Sequence, residues 1–346
     1  MTDPDPDPGA PADPLASRWQ PLALGEAECL AETLYGVAGR ATRMSSERDE
    51  TFRLDAADGR RFTLKVANPA EDPAALAFQD DVLRFLAETA PDLPVPRIVP
   101  ALALSSPPDG SRRIVRLLTY LDGRQLHERQ PSMETLEHLG RMLAALGLAL
   151  AACPHRPPPI RLAWDLSHFP DLADRLDIVG PERRPLVGAV LSDYAERVLP
   201  RRDELARQII HSDFNPYNIL VDEAEPARVA GIIDFGDMVE AARVFDLAIA
   251  AAYHLSGEDW RDRLAAVVRG YGALRPLTDD EVAVLPVLIR ARLATSIIMG
   301  EWRASLHREN RDYVLRNHAV ALRGLINLSG ASEGHVEDIL MQSREG

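Results

Sequence analysis

The sequence is short of cysteine, of positive charge and of long apolar runs, and each shortage removes a class of protein. Only Cys29 and Cys153 occur among the 346 residues. Neither stands in a CxxC or Cys/His ligand spacing, so structural zinc is not expected. Two free thiols in a reducing cytosol are expected ahead of a single disulfide. Acidic side chains outnumber basic ones 53 to 39, a formal net charge of −14. Nonspecific nucleic-acid binding draws on positive charge to displace counter-ions, so no nucleic-acid partner is expected. A cationic small molecule fits that charge, and so does simple solubility. Arg, Asp or His interrupts every apolar stretch short of the ~18 residues a membrane span needs. The N-terminus lacks the basic and apolar regions of a secretory signal. The expected location is the cytoplasm, with no membrane partner, as a monomer or homodimer.

What remains is an ordinary globular composition, 46% hydrophobic and 27% charged, with room for one large or two medium domains. The opening TDPDPDPGAPADP has little to bury, and residues 1–16 read as a disordered acidic tail. Leu22, Leu24, Leu30 and Leu34 recur at helical spacing. Alternation over residues 43–67, around the turn signal Asp58-Gly59, predicts a hairpin whose second strand carries Lys65. Leu64 and Val66 then face the opposite side of the sheet from that lysine. Residues 73–88 read as a helix, and 98–104 and 113–118 as two more strands around Pro107–Gly110. Beyond Leu121-Asp122-Gly123 the chain turns helical, with Leu136, Leu139, Leu143, Leu146 and Leu150 on one face and a further helix over 183–208. Thr278 and Glu281 form a capping-box pattern, ahead of a helix that Pro286 is expected to kink. The expected fold class is α+β in two lobes. Residues 17–118 form a small antiparallel-sheet lobe, and 119–346 a mainly helical one.

Chemistry concentrates between Gln208 and Gly236, in QIIHSDFNPYNILVD followed by VAGIIDFG. Two short apolar strands, 218–221 and 229–233, predict a hairpin with Asp213 on the loop before it and Asp234 at its end. Transfer of a γ-phosphoryl group passes through a loose transition state, so catalysis is mostly positioning and charge neutralisation. One carboxylate accepts the hydroxyl proton, and Asp213 fits. A second carboxylate and an amide oxygen hold magnesium, and Asp234 and Asn218 fit. A strand lysine reaches the phosphates, and Lys65 stands in that place. Alone, each fragment is weak; together, at these spacings, they are specific.

His211-Ser-Asp213-Phe-Asn-Pro-Tyr-Asn218 with Ile-Ile-Asp234-Phe-Gly resembles the aminoglycoside phosphotransferase family, a branch of the protein-kinase-like fold. The segment GDMVEAARVFDLAIA, with SERDETFRL and LLTYLDGR upstream, is similar to the hydroxylysine-kinase subgroup over roughly residues 20–325. The resemblance implies a two-lobed kinase, a nucleotide (ATP or GTP) with Mg2+, and a small hydroxylated amine or amino acid as acceptor. An aminoglycoside or other amino alcohol is the alternative acceptor, and a nucleotide-binding pseudokinase the alternative of another class. Residues 44–51 take the place of a glycine-rich loop, putting Ser46 at the nucleotide, and Thr119 lies on the segment expected to meet its base. The glutamate that pairs with the lysine is expected near Ala77, which cannot supply it; Gln79, Asp80 or Asp81 are the nearest substitutes. His211 is expected to brace the loop rather than shuttle protons, and Asp246 to cap the helix that follows it. Arg292 is a candidate for a substrate carboxylate or for a salt bridge. Trp302 is a candidate for a substrate ammonium or for the core.

Overall fold

The computed structural model describes residues 21–46, 49–102, 113–159, 161–306, 315, 317–331, 336 and 338–342. The expected acidic tail, the turn at Pro107–Gly110, and Glu47 and Arg48 lie outside them. The chain divides into two compact units: residues up to 87 with 95–121, and 88–94 with 122–346. Segment 88–94 joins the second unit, where the Pro94 carbonyl accepts from the Ile232 N–H at 2.8 Å.

In the first unit, helix α1 (Leu24–Tyr35) precedes strands β1 (Gly39–Met44), β2 (Glu50–Ala56) and β3 (Arg61–Val66). Helix α2 (Pro73–Thr89) then leads to β4 (Val115–Thr119). The four strands form one antiparallel sheet in the order β1-β2-β3-β4. Phe62, Leu64 and Val66 alternate into a core with Phe52, Leu54, Leu117, Leu30 and Leu34, so Lys65 projects from the other face. There it stands directly across from Arg116. The β2–β3 turn passes through Gly59 at φ 85°, a left-handed conformation that glycine adopts without strain. The strand expected over 98–104 reduces, among the described residues, to a single bridge between Ile98 and Leu118.

A buried ion cluster ties this unit together. Glu50, on β2, accepts from Arg113 Nη1 at 2.8 Å, from Arg43 Nη1 at 2.7 Å and from the Leu22 N–H at 2.9 Å. Burial alone would raise the Glu50 carboxyl, but these donors outweigh it and hold it below its ordinary value of 4.5. Its contribution to stability is therefore complete above that ordinary value and is lost as pH falls through the lower folded one. Glu50→Gln is expected to cost about 3–5 kcal/mol at pH 7, because Arg113 stays buried without its counter-charge. Chemical denaturation from pH 7 to 3 checks this: the variant should lose stability less steeply on acidification, and parallel curves would refute the assignment.

The second unit begins with β5 (Arg124–Gln125) and α3 (Met133–Ala151), capped by Ser132, whose hydroxyl accepts from the Thr135 N–H. Helix α4 (Arg184–Asp193) follows and runs on through a wider turn at Tyr194–Val198 and a tight one at Leu199–Arg201. The helix expected over 183–208 thus stops short, and β6 (Arg207–Ile210) takes over. Strands β7 (Ile219–Val221) and β8 (Val229–Ile232) form the expected hairpin, extended by β5, and β9 (Val239–Ala242) pairs with β6. Helices α5 (Val244–Ala252), α6 (Trp260–Gly272), α7 (Asp279–Leu306) and α8 (His318–Ser329) complete it. All five predicted leucines of α3 are buried. The same helix meets α6 so closely that a Cβ on Gly140 would come within 2.1 Å of the Val267 carbonyl oxygen.

Helix α7 opens with the expected capping box: the Glu281 N–H donates to Thr278 Oγ1 and the Thr278 N–H to Glu281 Oε2. It continues through Pro286 as one 28-residue helix. By length and composition the helix over residues 279–305 is long and apolar enough to cross a membrane, its most apolar 18-residue stretch having a mean hydropathy of 1.8. The most apolar stretch is 83% buried within the protein, as expected of a core helix.

Candidate active site

Strand β6 delivers His211 into the core, and the chain then turns through Ser212 at φ 63°, a left-handed conformation uncommon outside glycine. That turn carries Asp213 out of the strand line onto a tight loop, where the Asn215 N–H donates to the Asp213 carbonyl at 2.8 Å. Asn218, at the start of β7, bends back. Its Nδ2 donates to Asp213 Oδ2 at 2.8 Å and to the Asp213 carbonyl at 3.0 Å. The β7–β8 hairpin then returns to Asp234, also left-handed at φ 62°. A Cβ on Gly236 would press on Asp234 Oδ1 at 3.2 Å, so the glycine spares that carboxylate a tight contact.

His211 joins the two ends of this segment. Its Nδ1 accepts from the Asp213 N–H at 3.3 Å, which places the proton on Nε2, 3.1 Å from the Ile233 carbonyl. Burial lowers its pKa, so the ring is neutral. The edges of Phe214 and Phe235 enclose it. This is the geometry of a brace between the loop of Asp213 and the strand end of Asp234.

Asp246 does something other than the capping expected of it. Arg243 is the N-cap of α5, and Asp246 lies inside the first turn. Its carboxylate leaves its own helix and accepts from the His211 N–H (2.9 Å) and the Ser212 N–H (2.7 Å). A buried carboxylate thus satisfies two backbone donors at the strained turn before Asp213.

Arg292, on α7, donates from Nη2 to Asp213 Oδ1 at 3.0 Å and to the Tyr253 hydroxyl at 2.9 Å. Its guanidinium lies over the Trp164 ring at 5.3 Å and the Tyr253 ring at 5.7 Å. Of the two readings open for it, the structure contains the salt bridge, and with the base candidate itself. Partial burial raises the Asp213 carboxyl above its ordinary value; Arg292 opposes this and the charge of Asp234 reinforces it. The Asp213 side chain remains 24% exposed, enough for a small molecule to reach. Trp302 lies ten residues further along α7, about 15 Å by helical rise. Its half-buried ring is covered by the Arg175 guanidinium at 4.4 Å, so that cation holds the face expected for a substrate ammonium. Beside Arg292, a small cleft open to solvent is lined by Tyr253, Ser296, Asn317 and Leu293, among others.

In the first unit, Lys65 Nζ lies 3.6 Å from Asp49 Oδ2. Lys65 is the one lysine in the whole sequence; every other long-chain cation is arginine. Of the substitutes expected for the missing helix glutamate, Gln79 and Asp80 accept instead from Arg116 Nη1, at 2.9 and 3.2 Å. Arg116 thus ties β4 to α2, and Asp49, from the segment entering β2, sets a carboxylate against Lys65. Thr119 Oγ1 accepts from the Arg97 N–H, which occupies its acceptor side within the sheet. Ser46 is exposed on the segment after β1.

Sequence reasoning placed Asp49 in the nucleotide loop and left it open between a solvated and a functional role; it missed Arg116, Trp164 and Tyr253. Arg116 could have been found from its register opposite Lys65; the other two carry no local signal. Asp234 and Asn218 offer hard oxygen donors of the kind magnesium takes when phosphates and water complete its shell. Because Nδ2 of Asn218 is bound to Asp213, the amide oxygen is the atom left for a metal, so the residues present fit that ion.

Comparison with known proteins agrees with this architecture. The phosphotransferase enzyme family (APH) matches residues 40–284. Hydroxylysine kinase of Mus musculus is 28% identical over 348 residues, covering 92% of this chain and 92% of that protein. Homoserine kinase of Mesorhizobium japonicum is 29% identical over 217 residues, 58% of this chain and 64% of that protein. Among solved structures, a microcompartment-associated aminopropanol kinase superposes with a TM-score of 0.66 at 21% identity, covering 93% of this chain and 99% of that one. An antiparallel-sheet N-terminal unit, a helical C-terminal unit and a family match across most of the sequence lead to one assignment: the chain belongs to the APH phosphotransferase family, enzymes that move a phosphoryl group onto a hydroxyl acceptor.

Proposed function

We propose that this enzyme transfers the γ-phosphoryl group of ATP or GTP, with Mg2+, to a hydroxyl of a small amine or amino acid of the hydroxylysine type. The observation that carries the reading is Asp213: a reachable carboxylate fixed on one oxygen by Asn218 and on the other by Arg292. A lone pair left on this carboxylate takes the acceptor's proton as the acceptor oxygen attacks phosphorus and the nucleoside diphosphate leaves. Asn218 and Asp234 hold the magnesium ion, which offsets charge on the phosphate oxygens when bound. Lys65 contacts the α- and β-phosphates. That a chain otherwise furnished with arginine has lysine at this one place supports the role, since a compact ammonium and a planar guanidinium are not interchangeable.

Incubating the purified enzyme with magnesium, ATP or GTP, and a panel of 5-hydroxylysine, homoserine, aminopropanol and aminoglycosides, with products read by mass, tests the proposal. Phosphohydroxylysine is the expected product. A phosphorylated aminoglycoside alone would move the acceptor to the antibiotic class, and nucleotide binding without any product would favour the pseudokinase.

The Lys65–Asp49 contact makes a separate prediction. An incoming phosphate meets Lys65 already beside a carboxylate, so Asp49→Asn is expected to tighten nucleotide binding about two- to five-fold, the scale of one partly exposed pair. Titration calorimetry reads this directly, and weaker binding in the variant would show that Asp49 positions Lys65 rather than competing for it.

A further inference from the structure

The chemistry assigned so far gives Arg292 no task, yet it is the cation in hydrogen-bond contact with the proposed base. Its surroundings are built. Helix α7, from which it projects, is buried along most of its length, and its guanidinium lies over two aromatic rings. A buried guanidinium needs counter-charge and acceptors; here Asp213 and the Tyr253 hydroxyl take Nη2 and the Trp164 carbonyl accepts from Nη1 at 3.5 Å. The first two take both Nη2 hydrogens. Each edge on which a guanidinium grips a carboxylate bidentately, Nε with Nη2 or Nη1 with Nη2, includes that nitrogen. A fork-like clamp on a substrate carboxylate is therefore already forestalled.

We infer that Arg292 is a positioning residue for Asp213, fixing the rotation of its carboxylate so that a free lone pair faces the acceptor hydroxyl. The inference rests on Asp213 being the base. Asn218 restrains the other oxygen, but by the reading above Asn218 also holds the metal. Arg292 is a restraint from a different element, unconnected to the metal. Without Arg292 the carboxylate would be held by Asn215 and Asn218 alone, both on its own loop, and misplacement on the order of 1 Å costs about 10²-fold in rate.

A double-mutant cycle tests it. Arg292→Met is expected to lower kcat roughly 10–100-fold, with the acceptor KM within about two-fold of the parent, since a positioning defect spares ground-state binding. Arg292→Lys should recover part of the loss. In an Asp213→Asn background Arg292→Met should have no further effect, because the group it acts through is gone. Equal losses in both backgrounds would overturn the inference, as would a raised acceptor KM with kcat intact, which would make Arg292 a substrate contact. If Arg292→Met does not fold, Arg292→Lys and Tyr253→Phe carry the same cycle, and additivity with Asp213→Asn overturns the inference there too. If Asp213→Asn itself leaves turnover unchanged, the base assignment fails first, and that result is distinguishable from a failure of Arg292 alone.

Discussion

Asp213→Asn is expected to lower kcat by about 10²–10⁴-fold, the usual worth of a general base, while nucleotide affinity is kept. The amide has no lone pair basic enough to take the hydroxyl proton. It also changes the local hydrogen bonding. Asn218 Nδ2 and Arg292 Nη2 both donate to the present carboxylate, and an amide offers one acceptor oxygen where two are wanted. One donor is left facing an NH2 group, so some loss of thermal stability accompanies the loss of rate. Steady-state kinetics on the phosphorylated acceptor, beside calorimetric titration of nucleotide, separates the effects. Undiminished turnover would remove Asp213 from the role of base.

The second large effect is expected at a residue that touches no substrate. Asp246→Ala strips the acceptors from the His211 and Ser212 N–H groups, both buried. Each buried donor left unpaired costs about 1–3 kcal/mol, so the pair amounts to roughly 2–6 kcal/mol. Ser212 is also held at φ 63°, and without the carboxylate nothing offsets the strain of that conformation. The loop is then expected to relax toward ordinary φ and carry Asp213 with it. Asp246→Asn should rescue little, because the amide satisfies one N–H and turns its own donors on the other. Denaturation midpoints and kcat measured on the same preparations check this. A variant that loses stability but keeps its turnover would show that the loop holds its shape without Asp246.

Which parts of this were legible in the sequence follows from separation along the chain. Asp213, Asn218 and Asp234 fall within 22 residues, joined by a hairpin whose strands were plain from their apolar runs. Lys65 was legible because strand alternation fixes its face. Arg292 is 79 residues from Asp213, and Asp246 is 34 from Ser212. No periodicity encodes either contact; α7 and α5 have to be packed before the pairs exist. That is why Arg292 was assigned to a substrate group or a salt bridge, and Asp246 to a helix cap, the nearest local use of an aspartate before an apolar run. The helix expected over 183–208 ended early for a different reason. Pairing with β9 commits 207–210 to a strand, and local propensity cannot anticipate a partner thirty residues on.

The single lysine has a practical consequence beyond the phosphate contact proposed for it. A protease that cuts only after lysine has one possible site in this sequence, the Lys65–Val66 bond. That bond lies in β3, hydrogen-bonded between β2 and β4, where no protease can seat an extended chain until the sheet comes apart. Cleavage at this bond therefore reports the opening of the N-terminal unit and nothing else, and the two fragments divide the chain at a known place. When opening and closing are fast beside cutting, the rate gives the free energy of that opening. On the proposed reading of Lys65, a nucleotide bound there should slow it in proportion to its occupancy. The enzyme thus carries a built-in, label-free gauge of how tightly its four-stranded sheet is closed.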